Sequence, residues 1–229
     1  MKTRFSLALA GALAALAPAQ AIAHPHIFID ASLVMVFDAG GRLSAIKVEW
    51  AYDEFYSLSM IAEHGLDPDR TGAPDPERLA GFAGKDVAWD EGFPGDLSVM
   101  QGAEGVALGP VRHYPPRYAE GRIITAHSRP LAQPLEITPD SPVTVRVYDP
   151  EYFVAYDTPE NATIQGSALC EVTREAPDAA GAQMPVEDEA ALLDALSQID
   201  RDGDALGVME MEDVGIVFAD RFVITCSAE

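Results

Sequence analysis

The sequence predicts a strand-rich α+β fold: a β-sandwich-like domain with helical insertions, closed by one disulfide. Three observations predict it. Short segments of alternating hydrophobicity recur from residue 26 to the end, with two or three helical stretches between them. An export signal at the start sends the chain to an oxidising compartment. Two cysteines, Cys170 and Cys226, are the only ones in the chain, and such a pair in that compartment forms a disulfide.

The export signal comes first. Lys2 and Arg4 precede the apolar run "FSLALAGALAALA", and overlapping A-x-A triplets follow. The run is too short to span a bilayer. The expected organisation is a signal peptide over 1–23, cleaved after Ala21 or Ala23, and a single periplasmic domain over 24–229. No later stretch approaches the ~18 apolar residues of a spanning helix.

The elements follow in order. "HIFIDASLVMVFD" puts Ile27, Ile29, Ala31, Leu33, Met35 and Phe37 on one face of a long strand. "AGG" turns the chain, and "RLSAIKVEWAY" returns it with Ile46, Val48, Trp50 and Tyr52 on one side, so the two make a hairpin. In "DEFYSLSMIAEHG" the period changes: Phe55, Leu58 and Ile61 recur at helical spacing, Asp53 caps, and Gly65 ends the helix. A loop and one helical turn follow. Residues 84–120 are rich in Gly and Pro and carry no clear period. "GRIITAHS", "SPVTVRVYD" and "NATIQGSALCEVTRE" read as strands. Residues 176–188 read as a surface linker. "EDEAALLDALSQID" reads as an amphipathic helix with acids in its first turn, and "GIVFADRFVITC" closes the chain with one or two strands.

Charge narrows the function. The chain carries 15 Lys and Arg against 37 Asp and Glu, a formal charge of −22. Losing Lys2 and Arg4 with the signal takes the balance to 13 against 37, or −24. Such a surface repels nucleic acid and anionic lipid, and attracts cations and basic partners. There is no G-x-S-x-G, HExxH or P-loop. Asp53 and Glu54 point about 100° apart on a helix and make a poor acid/base pair.

The five histidines, His24, His26, His64, His113 and His127, all lie past the signal. Cleavage after Ala23 gives His24 a free α-amine beside its imidazole, a chelating pair for copper, nickel or zinc, with His26 two residues on. Cleavage after Ala21 places His24 third, where ionised amides give a square-planar site. Pro25 denies that geometry to His26, since proline has no amide proton. His113, His127 and the carboxylate of Asp53 are candidates to complete the shell. Alternatively, the histidines only begin a strand.

With "HPHIFID", "VEWAYDEFYS" and "VRVYDPEYF" in view, the chain resembles the domain of unknown function 1007 family, described as periplasmic components of an uncharacterised ABC-type transport system. The resemblance implies divalent-metal handling beside a nickel/cobalt-type permease and no assigned enzyme activity. It carries over to His24, His26, Trp50, Asp53, Glu54, Ser57, Asp149 and Tyr152. Relatives carry a calcium-type loop after the first helix. Here Asp67, Asp69, Thr71 and Gly72 fit it, but Arg78 stands where the bidentate glutamate belongs and opposes calcium. The acidic stretch over 200–212 mimics such a loop too, with Ala205 and Met211 at its glycine and glutamate positions.

The expected function is therefore a periplasmic accessory or binding protein for a divalent transition metal (nickel, cobalt, zinc or copper) serving an inner-membrane permease or ABC-type transporter. The alternative is a metal-free accessory subunit docking on the permease. A copper-dependent oxidative enzyme, built on a His24 clamp, is the third reading.

Overall fold

The computed structural model describes residues 25–177 and 214–227. The signal segment, His24, most of the linker, the helix read over 187–200 and the acidic loop over 200–212 lie outside the described residues.

The hairpin forms as its alternation demands. β1 (Ile27–Phe37) and β2 (Leu43–Tyr52) pair antiparallel, Ile29 opposite Tyr52 and Leu33 opposite Val48. Ile29, Ala31, Leu33, Met35 and Phe37 are all buried. The Asp38 carboxylate holds the turn, accepting from the Gly40 and Arg42 amides.

α1 (Glu54–Glu63) starts at Asp53, whose side chain accepts from the Tyr56 amide at 2.8 Å. Its other oxygen accepts from the Phe28 amide at 3.1 Å, pinning the helix start to β1. The buried face of the helix differs from the expected stripe. Ser57, Met60 and Ile61 face inward, while Phe55 and Leu58 are 78% and 62% exposed. A hydroxyl decides the rotation: Ser57 Oγ accepts from the Ile123 amide at 2.9 Å and donates to the Tyr52 carbonyl. Side-chain hydrogen bonds hold the loop after α1. Asp67 accepts from the Thr71 and Gly72 amides, which keep its carboxyl below the usual range, and Arg78 donates to the Gly65 carbonyl. α2 (Pro76–Ala80) follows, capped by Asp75.

The remaining strands are β3 (Leu97–Gln101), β4 (Glu104–Gly105), β5 (Arg112–Ala119), β6 (Arg122–Leu135), β7 (Val143–Val147), β8 (Val154–Asp157), β9 (Thr163–Gln165), β10 (Cys170–Glu175) and β11 (Arg221–Cys226). One sheet runs β5-β6-β2-β1-β8, with β9 also beside β1; the other runs β10-β11-β7-β3-β4. They share one core. Met35, Ile46, Val48 and Trp50 come from the first sheet, and Val143, Val145, Phe222 and Ile224 from the second. Each is almost fully buried, worth about 1.5–3 kcal/mol per large aliphatic or Phe side chain. Cys170 and Cys226 sit opposite each other on β10 and β11 and are joined by the disulfide. Strand-rich, two-sheeted and with few helices, the architecture is the one the sequence predicts. Among the described residues no helix is long and apolar enough to cross a membrane.

Candidate functional site

The inner face of the first sheet carries more polar groups than a packed core needs. Register puts them together. Thr125 of β6 lies opposite Trp50, and His127 opposite Val48. On the edge strand β5, His113 lies opposite His127. Strand residues that pair this way point to one side, with Cβ atoms roughly 5 Å apart. His127 is 1% exposed, whereas His113 is exposed. One imidazole is buried in the core and the other reaches the surface.

The Gly-rich segment before β3 roofs these groups. Gly84 crosses directly over the His113 ring at a φ of +70°, and a Cβ there would stand 2.6 Å from His113 Cδ2. Two residues on, Asp86 turns inward. One carboxylate oxygen accepts from Thr125 Oγ1 at 2.6 Å and Tyr52 Oη at 3.2 Å; the other accepts from Trp89 Nε1 at 3.1 Å. Asp86 thereby fixes Trp89, which stacks on Trp50 with centroids 5.8 Å apart. The Trp89 ring also meets His127 at 4.8 Å and His113 at 5.2 Å.

The electrostatics follow from burial. Desolvation pushes His127 down to about 4; His113 and Arg129 add to this and the Asp86 charge opposes it. His127 is thus a neutral imidazole near pH 7, and its Nε2 has no hydrogen-bond partner. Trp50 Nε1 is likewise without one. Most buried polar side-chain atoms are paired, so two orphans on rings 4.6 Å apart mark this spot. Arg129 donates to the Gly109 carbonyl at 3.3 Å and to the Pro94 carbonyl, so its cation stays beside the site.

A second polar pair lies further along the same face. Tyr156 Oη donates to Asp96 Oδ2 at 2.8 Å, and Tyr156 touches Trp50 at 5.7 Å. Burial raises the Asp96 carboxyl to about 7, with the Tyr156 bond opposing and the Asp149 charge adding.

Of the residues singled out in the sequence, the fold brings His113 and His127 together. It does not bring His26 to them. His26 precedes β1 on its outer side and packs on Phe153 with centroids 4.8 Å apart. His127 is level with Leu33, seven residues along β1, which is roughly 23 Å, and two strand spacings or roughly 10 Å across, on the opposite face. A shell uniting His26 with His113 or His127 is therefore corrected to two separate places. Asp53 lies at the His26 end of β1, against Phe28, and both its oxygens are engaged by backbone amides. Among the described residues no three His, Cys, Asp or Glu side chains converge as a metal-binding group. The sequence reading missed Asp86, Trp89 and Asp96. The only local sign was "DVAW", a carboxylate three residues before a tryptophan, in a stretch without a period.

Over residues 9–226 the chain matches the family described as a protein of unknown function, DUF1007. The chain belongs to this family. No curated protein matches it. The DUF1007 description names no activity, so chemistry is argued from this chain's own residues. Two imidazoles, one of them neutral and unpartnered, are nitrogen donors of the kind that transition metals accept.

Proposed function

We propose that the protein is an exported accessory or binding protein that holds a transition-metal ion (nickel, cobalt, zinc or copper) for an inner-membrane transport system. His113 and His127 are the nitrogen donors in the described part of the chain. Asp86 orients the Trp89 roof rather than binding the ion. The observation that carries the reading is His127 Nε2: a buried, neutral ring nitrogen without a partner, beside a second histidine that opens to solvent.

A second reading, a metal-free subunit that docks on a permease, is favoured by one surface. Phe55, Leu58 and Phe28 are 78%, 62% and 54% exposed around the start of α1. Phe55 and Leu58 line one shallow depression with Ile61 and Tyr118, and exposed apolar patches mark interaction surfaces.

The deciding experiment purifies the exported protein without a histidine tag and measures nickel, cobalt, zinc and copper after equilibration. His113→Ala is run beside it, and so is the pair His24→Ala, His26→Ala. Near-stoichiometric metal that drops in His113→Ala supports the site. Metal that drops only in the His24, His26 pair moves it to the chain start. Trace metal in every form leaves the docking reading.

A further inference from the structure

We infer that the groove between α1 and the β5–β6 turn docks an apolar segment of a partner protein that carries Lys or Arg at its flanks. This rests on the docking reading above, names the partner's chemistry, and is independent of the histidine pair.

The rotation of α1 builds the groove. Ser57 takes the inward position, so Phe55 and Leu58 stand outward on one face of the helix, and exposed Ala62 continues that face one turn on. Glu54, Phe55, Leu58 and Ile61 line one side, and Tyr118 and Gly121 of the facing hairpin line the other, around about 400 Å³. The depression is shallow, whereas a small molecule wants roughly 70–90% of its surface covered. A shallow apolar groove suits the side chains of a protein segment instead. Its walls are set in advance. Asp53 and Ser57 pin the helix to β1, Tyr52 and Ile123. A Cβ added at Gly121 would stand 3.6 Å from Glu54 Cγ, so the hairpin tip lies against the helix start.

Charge decides the partner. Glu54 lines the groove and Glu120 precedes Gly121 at the hairpin tip; both are exposed. Glu120 holds its place at a φ of +54°, followed by Gly121 at +79°. A turn with two positive φ values favours Asn-Gly or Asp-Gly, so local folding does not ask for Glu there. The nearby cations are already paired, Arg117 with Glu49, and Arg122 with Asp30 and the Tyr52 and Ala51 carbonyls. An apolar floor with an acidic rim, in a chain of net charge −22, repels a second copy of itself and an anionic bilayer, and attracts basic flanks.

The test offers the untagged exported protein two synthetic amphipathic peptides with the same leucine face, one with lysine and one with glutamate at the polar positions. Fluorescence anisotropy of the labelled peptides reads binding at low and high salt. The expected result is that the lysine peptide binds and the glutamate peptide does not. Phe55→Ser with Leu58→Ser should weaken the lysine peptide by about tenfold or more. Glu54→Gln with Glu120→Gln should weaken it by about threefold at low salt. Glu104→Gln with Glu171→Gln, which removes the same charge from β4 and β10 of the second sheet, should leave it unchanged. All these side chains are exposed, so the variants keep the fold; far-ultraviolet circular dichroism checks it. Equal weakening by the two glutamate pairs means attraction to the acidic surface at large and overturns the site. So does lysine-peptide binding that survives Phe55→Ser with Leu58→Ser. Sedimentation velocity and co-sedimentation with phosphatidylglycerol vesicles test the other occupants. A dimer, or vesicle binding, that is lost in the Phe55, Leu58 variant overturns the basic partner and leaves the surface an interface. Absence of binding in every assay overturns the partner and the docking reading together, and leaves the metal reading, which His113→Ala tests separately.

Discussion

The Trp50 ring meets the His127 ring nearly edge to face, with centroids 4.6 Å apart, in the middle of the sandwich core. Trp89 touches the same histidine and stacks on Trp50, and these are the only two tryptophans in the chain.

Intrinsic fluorescence therefore reports directly on the histidine pair. If His113 and His127 hold copper or nickel as proposed, the ion should quench emission from both indoles, because both lie in contact with the His127 ring. A titration of untagged protein should lose most of its tryptophan emission by one equivalent, and His113→Ala should abolish the effect. Emission that stays constant while metal demonstrably binds would put the ion somewhere else in the chain.

Stability should depend on pH through Asp96. Its folded pKa is raised to about 7 by burial, so the folded state holds the proton more tightly than the unfolded chain does. That stabilisation is complete below the carboxyl's ordinary value of 3.8 and is lost as pH rises through about 7; it amounts to about 4 kcal/mol. His127 in the metal-free protein has the opposite sign: its pKa is lowered from 6.5 to about 4, so its share is present above 6.5 and lost as pH falls toward 4. The two slopes offset each other in the wild type. Asp96→Asn removes one of them and still accepts from Tyr156. Urea unfolding at several pH values between 4 and 8 should show the variant gaining on the wild type as pH rises. Parallel curves would mean that Asp96 titrates normally.

The frame of this fold was written in local pattern, and the site was not. Period-two alternation from Ile27 to Phe37 is enough to bury one face, and the structure buries that face. The helix after Tyr52 was legible from its cap, yet its inward face was not. Phe55 and Leu58 have the more hydrophobic side chains, but Ser57 wins the buried position because it satisfies the Ile123 amide. His113 and His127 were visible singly as candidate ligands. Their meeting depends on the register of β5 against β6, a long-range fact that no local period encodes. Asp86 and Trp89 lie in a segment shaped by glycines and tertiary contacts, where hydrophobic periodicity has nothing to report.

Ser57→Ala tests that helix seat. Ser57 is fully buried, and removing its hydroxyl leaves the Ile123 amide without its acceptor. Leaving a buried amide unpaired costs about 1–3 kcal/mol. The urea midpoint should fall while the slope stays constant. An unchanged midpoint would mean that the amide finds another partner.

The disulfide ties β10 to β11 across 56 residues of sequence. Opening a loop of that length costs about 4 kcal/mol in the chain-entropy model. The Cys170→Ser, Cys226→Ser double variant should therefore melt at a clearly lower temperature, as should reduced wild type. Because both strands belong to the second sheet, metal uptake at 20 °C should survive in whatever fraction stays folded.

Gly84 gives the sharpest separation of site from fold. Its φ of +70° already disfavours a side chain, and an added Cβ would also fall 2.6 Å from the His113 ring. Gly41 is the matched control: φ is +73° there, and nothing lies within 4 Å of an added Cβ. Both Gly→Ala changes carry a backbone penalty of about 1 kcal/mol, and the ring contact adds to it at Gly84, so the melting temperature should fall in both and further in Gly84→Ala. Only Gly84→Ala pushes the His113 imidazole away from its partner. Metal uptake should fall in Gly84→Ala and hold in Gly41→Ala, measured by metal analysis after equilibration. Equal uptake in the two variants would show that the position of the His113 ring does not govern binding.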